Sequence, residues 1–225
     1  MPRQARVAVP GLPHLVTQRG AQGAPIFFEG GDEEVYRDLL ARETRRRAVE
    51  VWAWCLMADQ VRLILNPRTA DGLGLAVGEA HRRYANYINI RAGWTGRLFK
   101  SRFSSVAMDE PHLLAAARDL SLGPVREEKV RRPEEWAFSS VRAHLKGVDD
   151  DLVTVAPLLA RVGRFADFLR TPGDGEAERL AALKAAESTG RPVGAEPFIA
   201  DLERRLGRTL RPGKRGRRPG GKTAG

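Results

Sequence analysis

The stretch VEVWAWCLMADQVRLIL, residues 49–65, decides the fold because it is typical of two adjacent β-strands. Its first half is apolar on both faces, which predicts a central, buried strand. Ala58 and Asp59 form a tight turn, and the segment after them predicts the antiparallel partner strand. In that partner Gln60 and Arg62 lie two residues apart, so both side chains point to the same face. A polar pair of this kind does not serve a core, so it marks a candidate site.

The segments around this hairpin alternate between strand and helix patterns. HLVTQR, residues 14–19, alternates in the way that predicts a strand. From Asp32 to about Ala48, a helical apolar stripe begins with acids and ends with arginines, which matches the helix dipole. The remaining predictions are a long helix over 72–93, a strand within 96–109, and a helix over 112–122 that ends at Gly123-Pro124. This order predicts an α+β fold with a ferredoxin-like antiparallel sheet and helices on one face.

Beyond about residue 133 the pattern becomes all-helical. One helix each is predicted in PEEWAFSSVRAHLKG, APLLARVGRFADFLRT, GEAERLAALKAAEST and AEPFIADLERRLGR. The last two are joined by GRPVG and form a candidate helix-turn-helix pair. These patterns divide the chain into a ferredoxin-like domain at 1–132, a helical region at 133–210 and a disordered basic tail at 211–225.

The charge of the chain favours a polyanion as its partner. Lys and Arg number 38 against 28 Asp and Glu, which gives a net charge of +10 over 225 residues. Residues 201–225 hold nine of the basic and two of the acidic residues, so this C-terminal segment alone contributes +7. A surplus of this size predicts nucleic acid as the partner, and a basic protein without such a partner is the alternative.

Cysteine use and hydropathy predict a cytoplasmic protein that has no membrane partner. Cys55 is the single cysteine and lies in an apolar strand, so a buried, reduced thiol is expected. No apolar run approaches the roughly 20 residues that a membrane span needs. The N-terminal segment MPRQARVAVPGLPHLV lacks the apolar region of a secretory signal.

Seven segments share one register with a known protein family: VPGLPHLVTQRG, VEVWAWCLM, GEAHRRYANYIN, GWTGRLFKSRF, MDEPHLLAA, GPVR and TGRPVG. Together, over about residues 1–210, they resemble the REP-associated tyrosine transposases, a bacterial branch of the HUH-type single-strand insertion-sequence transposases. The resemblance implies a ferredoxin-like sheet, a monomer, and a DNA hairpin with a flanking tetranucleotide as ligand. In this family two strand histidines hold Mg²⁺ or Mn²⁺, and a helix tyrosine attacks the DNA phosphodiester.

This sequence departs from the family pattern at each of those catalytic places. Gln60 and Arg62 stand where the resemblance implies the histidines, and Ala58-Asp59 replaces the preceding Pro-Asn. Asp119 stands at the tyrosine position. A permanently charged guanidinium repels a divalent metal, and a carboxylate that attacked a phosphodiester would form a water-labile acyl phosphate. We therefore predict hairpin DNA binding without nicking and joining, and no metal cofactor.

Three alternatives stay open at the level of the sequence. An active transposase could use unusual residues, with Tyr84 or Tyr87 as nucleophile and a metal site built from other side chains. The candidates for that metal site are Asp59, Asp109, Glu110 and His112. A second alternative is an interaction protein that keeps the scaffold without binding DNA, and a third is an unselected relic.

Cations beside aromatic rings mark the candidate DNA-binding residues, because bases stack on rings while cations hold the backbone. The segment GWTGRLFKSRF supplies aromatic and basic side chains together, Arg82 and Arg83 lie on a polar helix face, and Arg62 offers a fork for a phosphate. The alternatives are a strand that buries its aromatic side and a solvated helix face. The full predicted set is Arg19, Arg62, Arg82, Arg83, Trp94, Arg97, Lys100 and Arg102.

Overall fold

The computed structural model describes residues 7–211 and consists of one antiparallel sheet with helices on both faces. The strands are β1 (His14–Arg19), β2 (Val49–Met57), β3 (Gln60–Pro67) and β4 (Ser104–Ala107). The helices are α1 (Asp32–Arg46), α2 (Gly72–Ala92), α3 (Glu110–Arg126), α4 (Val141–Lys146), α5 (Ala156–Val162), α6 (Phe165–Arg170), α7 (Glu176–Glu187) and α8 (Glu196–Leu206). No helix within residues 7–211 has the length and apolarity that crossing a membrane requires.

The strand order β2-β3-β1-β4 confirms the predicted ferredoxin-like topology. All three pairings are antiparallel, as expected when helical crossovers link β1 to β2 and β3 to β4. The hairpin of β2 and β3 turns through Ala58 and Asp59, as its sequence predicts. Because the sheet period is two, this register sends Val61, Leu63 and Leu65 to one face and Gln60 and Arg62 to the other.

One face of the sheet is covered by α1 and α2. Val61, Leu63 and Leu65 pack there against Tyr36 of α1 and Tyr84 of α2, all fully buried. The predicted helices agree with this packing, since their apolar stripes face the same side of the sheet. The prediction of helices on one face is correct for these two elements.

The opposite face is also covered, by α3 and α7. Ile64 of β3 packs there with Leu113 and Leu120 of α3 and with Leu183 of α7. The prediction left this second face open because helix periodicity shows that a stripe is buried but not which surface buries it. Residues from both sides of position 132 thus share one core, while the proposed division at 132 remains a prediction.

Helix α3 extends beyond its predicted end. It runs through Gly123 and Pro124 to Arg126, so the prediction that this pair stops the helix is wrong. Pro124 has no backbone N–H to donate, but the helical hydrogen bonds continue past it: the Glu127 N–H donates to the Gly123 carbonyl at 3.0 Å. At the other end Asp109 caps the helix, since its carboxylate accepts the N–H of His112 at 3.1 Å.

Two of the predicted C-terminal helices are wrong in extent, and the predicted strand within 96–109 is shortened to β4. The segment 133–147 contains a 3₁₀ turn and the short α4 rather than one helix. The segment 156–171 is split into α5 and α6 at Gly163, whose φ of 65° is incompatible with a continuous helix. Helices α7 and α8 match their predictions, but they pack in different clusters, α7 on α3 and α8 on Val7 and Val9. Apart from Arg211, the predicted tail at 211–225 lies outside the described residues.

A buried histidine at the start of β1 makes the stability of the protein depend on pH. The His14 ring accepts the Val9 N–H at Nε2 (3.2 Å) and donates from Nδ1 to the Leu12 carbonyl (2.8 Å), so it is held neutral. Burial lowers the pKa of His14 to about 4. In the unfolded chain the ring takes up a proton near pH 6.5, so this contribution is complete above that pH and is lost as pH falls toward 4.

We expect acidification from pH 7 to pH 5 to cost about 2 kcal/mol of unfolding free energy through His14. Urea unfolding of the native chain and of His14→Gln at both pH values measures this, because glutamine keeps a donor and an acceptor without titrating. His144, whose pKa burial also lowers, contributes equally to both proteins and cancels. Equal pH dependence in the two proteins would contradict the assignment.

Candidate nucleic-acid interface

The polar pair of β3 lies beside a second polar pair on β1. In the register of the two strands Thr17 is opposite Arg62 and Arg19 is opposite Gln60. All four side chains are on the face that α3 and α7 cover, at the end where the apolar cluster stops. The site is therefore a polar extension of the second core and is built by the sheet itself.

The three residues that the resemblance assigns to the family's catalytic positions, Gln60, Arg62 and Asp119, line one cleft in this structure. The Arg62 guanidinium (Nη2) pairs with the Asp119 carboxylate (Oδ2) at 2.6 Å, and both side chains are largely buried. Asp119 also pairs with Arg126. Gln60 donates from Nε2 to Glu127 Oε1 at 3.2 Å. The polar pair of the hairpin thus serves to anchor the C-terminal half of α3 on the edge of the site.

Helix α7 forms the other wall and encloses a cleft of about 350 Å³. From α7, Glu187 pairs with Arg19 at 2.9 Å and accepts a hydrogen bond from Thr17 Oγ1 at 3.0 Å. Lys184 also lines the cleft and is exposed. The cleft is lined by Leu15, Arg19, Gln60, Arg62, Asp119, Leu180, Ala181, Leu183, Lys184 and Glu187. Its walls carry three cations, Arg19 from β1, Arg62 from β3 and Lys184 from α7. The two arginines are each paired with a carboxylate.

The residues at this site do not fit a divalent metal. Arg62 places a fixed positive charge at a would-be ligand position, and the Gln60 amide offers only one weak oxygen donor. Within the part of the chain that the structure describes, no three His, Cys, Asp or Glu side chains are grouped as metal ligands. Of the alternative ligands, Asp109 is used by the cap of α3, by His112 and by the Ala195 N–H. Glu110 faces Arg161 at 3.4 Å.

The thiol beside this site is also unreactive. Cys55 is opposite Arg62 in the hairpin register and is buried, as predicted. Burial raises the pKa of Cys55 to about 12, so the group stays a thiol at neutral pH.

The two alternative tyrosine nucleophiles lie on α2, which covers the other face of the sheet. Tyr84 is fully buried, donates its hydroxyl proton to the Ile26 carbonyl at 2.9 Å, and has a pKa raised by burial. The Tyr87 hydroxyl accepts from Arg91 at 3.2 Å and is partly exposed. Neither tyrosine shares the cleft with Asp119, so this structure offers no phenol where the family pattern places one.

The predicted DNA-binding residues divide into three groups. Arg19 and Arg62 line the cleft and are both ion-paired. Arg82 and Arg83 lie on α2, where both pair with Glu79 and Arg83 also faces the buried Glu43 at 3.6 Å. The third group is exposed on the loop between α2 and β4 and consists of Trp94, Arg97, Lys100 and Arg102.

The loop cations and the cleft are linked through the end of β1. The Lys100 N–H donates to the Arg19 carbonyl at 3.0 Å, and Phe99 forms a β-bridge with Gly20. The Phe99 side chain packs on the His81 ring, with centroids 4.6 Å apart. Trp94, by contrast, is exposed to solvent. The cleft and the exposed loop therefore share one end of the sheet.

Sequence reasoning missed several residues of this region. Glu187 and Lys184 come from α7, more than a hundred residues beyond β3, and no pattern in the sequence indicates where α7 packs. Arg126 was noted only as part of the GPVR segment, although its spacing of seven from Asp119 on one helix puts both on the same face. Phe28, whose ring meets the Trp94 ring edge to face, was also missed, since it lies in a loop without periodicity.

Comparison with known proteins gives a structural likeness. The fold is similar to that of the REP-associated tyrosine transposase solved with a bound REP hairpin, with a TM-score of 0.55 and 16% sequence identity. That match covers 68% of this chain and 92% of the other. A crystal structure from Deinococcus radiodurans R1, provisionally assigned as a transposase, matches 48% of this chain and 87% of its own at 18% identity. Its TM-score of 0.37 is too low to support an argument.

Sequence comparison adds nothing to this likeness, because no family model and no curated protein matches the chain. The likeness therefore rests on the structural match alone. Over the matched 68% of the chain, this protein has the fold of a REP-associated tyrosine transposase.

Proposed function

We propose that this protein binds hairpin-forming single-stranded DNA and does not nick or rejoin it. One observation carries the proposal: the ion pair between Arg62 and Asp119, at 2.6 Å, joins the positions where the family pattern calls for a metal ligand and a nucleophile. The fold supports the DNA-binding half of the proposal, and the chemistry of this pair supports the half that concerns catalysis.

The ion pair is unsuited to phosphodiester attack in two ways. The Asp119 carboxylate is engaged by Arg62 at one oxygen and by Arg126 at the other, so its negative charge is already balanced by two guanidinium groups. Attack by a carboxylate would also leave an acyl phosphate, which water cleaves, instead of a stable phosphotyrosine. Reversible joining of DNA ends needs an intermediate that survives until the second strand arrives.

The same residues are suited to holding a phosphate. A guanidinium fork matches two phosphate oxygens, and Arg62 and Arg19 lie on adjacent strands at the cleft. In the DNA-free protein each is balanced by a carboxylate, Asp119 for Arg62 and Glu187 for Arg19. A phosphate that enters the cleft would exchange one charge partner for another, which limits the cost of removing the arginines from water.

The test begins with a library of hairpin oligonucleotides that have random stems and random single-stranded flanks. Hairpins retained by the protein are labelled, and their binding is measured between 50 and 200 mM salt. We expect the association constant to fall at least about tenfold over this range, because counterions are released from several phosphates. A protein that retains no hairpin from the library, or binds without salt dependence, would favour the interaction-protein alternative.

A matched pair of variants tests the role of the cleft. Arg62→Gln should weaken hairpin binding about fivefold and reduce the salt slope by about one, as expected for one lost phosphate contact. Arg170→Gln removes the same charge from the exposed surface of α6, where the side chain is 77% exposed, and should change little. Equal binding by the two variants would show that DNA does not enter the cleft.

A further inference from the structure

A second surface, at the C-terminal end of α2, carries large apolar side chains in solvent. We call it the aromatic patch; it consists of Phe28 (39% exposed), Tyr87 (36%), Ile90 (73%) and Trp94 (49%). Tyr87 and Ile90 lie about one turn apart on α2, and Trp94 follows the Gly93 cap at the C-terminal end of that helix. The Phe28 ring meets the Trp94 ring edge to face, with centroids 5.0 Å apart. Contiguous exposed apolar groups of this kind mark interaction sites.

A buried carboxylate, Asp32, fixes the backbone and side chains that carry the aromatic patch. Asp32 is fully buried and accepts the N–H groups of Phe28 (2.9 Å) and Glu29 (3.1 Å). Arg91 also donates to Asp32, at 3.0 Å from Nη2, and its guanidinium lies 5.2 Å from the centre of the Tyr87 ring. The backbone under Phe28 and the ring of Tyr87 are thus fixed before any ligand arrives, which lowers the entropy cost of binding.

The loop that carries Trp94 is fixed in the same way. The backbone N–H of Trp94 donates to the Asn89 backbone carbonyl at 2.9 Å, and the Asn89 side-chain amide donates to the Gly96 carbonyl at 3.2 Å. Gly93 makes the turn with a φ of 63°, which favours glycine. Trp94 is therefore presented by a closed turn at the end of the helix.

Free positive charge follows the aromatic patch along the same loop. Arg97, Lys100 and Arg102 are exposed and make no ion pair with any residue in 7–211. Arg91, by contrast, is used by Asp32 and Glu29. Rings next to unpaired cations are complementary to a strand that alternates flat bases with phosphates.

We propose that the aromatic patch is a base-stacking site for unpaired nucleotides. A base packs on Trp94 and Phe28 while Arg97, Lys100 and Arg102 hold the phosphates of the same strand. The identity of the ligand as single-stranded DNA rests on the proposed function. Because paired bases hide their faces within the stem, this site takes the single-stranded segment that flanks a hairpin, while the cleft takes another part of the ligand.

Tryptophan fluorescence tests the proposal directly. Trp52 and Trp54 are buried and Trp136 is half-buried, so a ligand that stacks on Trp94 quenches the exposed part of the signal. The probe is an unstructured oligomer of eight thymidines, and its control is an eight-unit abasic oligomer of equal charge. We expect the thymidine oligomer to quench and the abasic oligomer to bind at least about tenfold more weakly without quenching.

Matched variants complete the experiment. Trp94→Leu should weaken binding of the thymidine oligomer about tenfold and remove the quenching. Leu75→Ala removes an apolar side chain of similar exposure (42%) from the first turn of α2, at the opposite end of the helix from Trp94, and should change neither. Equal binding of both oligomers, or an unchanged affinity in Trp94→Leu, overturns the proposal.

The outcome for this site is separable from the outcome for the proposed function. Quenching that depends on Trp94, in a protein that retains no hairpin, supports the stacking site and contradicts hairpin binding. Hairpin binding that is insensitive to Trp94→Leu and to an abasic flank supports the proposed function and contradicts the stacking site.

Discussion

The triple variant Gln60→His, Arg62→His, Asp119→Tyr is expected to cut DNA hairpins that, under the proposed function, the native chain binds without cutting. The register of β3 puts positions 60 and 62 on one face, and the Arg62–Asp119 contact of 2.6 Å shows that a side chain at 119 reaches them. Two imidazoles and a phenol at these positions would restore the donor set and the nucleophile that the family pattern calls for. With Mn²⁺ we expect product at least about a hundredfold above that of the native chain.

A denaturing gel of end-labelled hairpin detects both the cleaved strand and a covalent protein–DNA adduct. The control variants carry only the two histidines or only the tyrosine, and neither should produce an adduct because the groups act as a unit. Cleavage by the native chain would refute the proposal that it does not cut DNA. A triple variant that binds hairpins and leaves them intact would show that these three positions do not form the catalytic centre on this scaffold.

Loss of Arg118 is expected to destabilise the protein strongly. Its side chain is 3% exposed and forms a bidentate pair with Glu176, at 3.2 and 2.6 Å, and a hydrogen bond to the Phe168 carbonyl at 3.3 Å. These contacts tie α3 to α6 and α7. Arg118→Ala leaves the Glu176 carboxylate without its partner in a largely buried site, so we expect a loss of about 3 to 4 kcal/mol.

Urea unfolding and thermal unfolding measure this effect, which should lower the midpoint temperature by about 8 to 12 °C for a chain of this size. The matched control is Arg170→Ala, which removes an arginine paired with Asp167 at 3.4 Å but 77% exposed, and should cost less than about 1 kcal/mol. If both variants lose the same stability, the Arg118 pair is no stronger than a surface pair.

Local patterns were sufficient to predict the sheet and the two helices, α1 and α2, that form its crossovers. Alternation and apolar runs are properties of neighbouring residues, and β1, β2 and β3 begin and end within two residues of their predicted bounds. The errors occurred where a local rule competes with packing. Gly123-Pro124 is a typical helix stop, yet α3 continues because Pro124 is buried against its neighbours. Gly163 divides a segment whose apolar spacing is continuous.

The candidate site was predicted in part. The positions 60, 62 and 119 followed from the resemblance, and the structure brings all three to one cleft. The ion pair between Arg62 and Asp119 could not be predicted, because a strand and a helix more than fifty residues apart meet only in the folded chain. The same holds for Glu187 on α7 and for the pairing of Phe28 with Trp94.

The sequence by itself determined the order of the four strands and of the helices that link them, and the face of β3 that carries Gln60 and Arg62. It also determined that neither histidine nor tyrosine stands at the positions that the resemblance assigns to catalysis. Each of these depends on residue identity or on a period of two or 3.6 residues, which neighbours in the chain define. Only the tertiary structure decided that Arg62 is balanced by Asp119, that α7 walls the cleft, and that Trp94 has an aromatic partner. These are contacts between distant segments, and their geometry is set by how the helices pack on the two faces of the sheet.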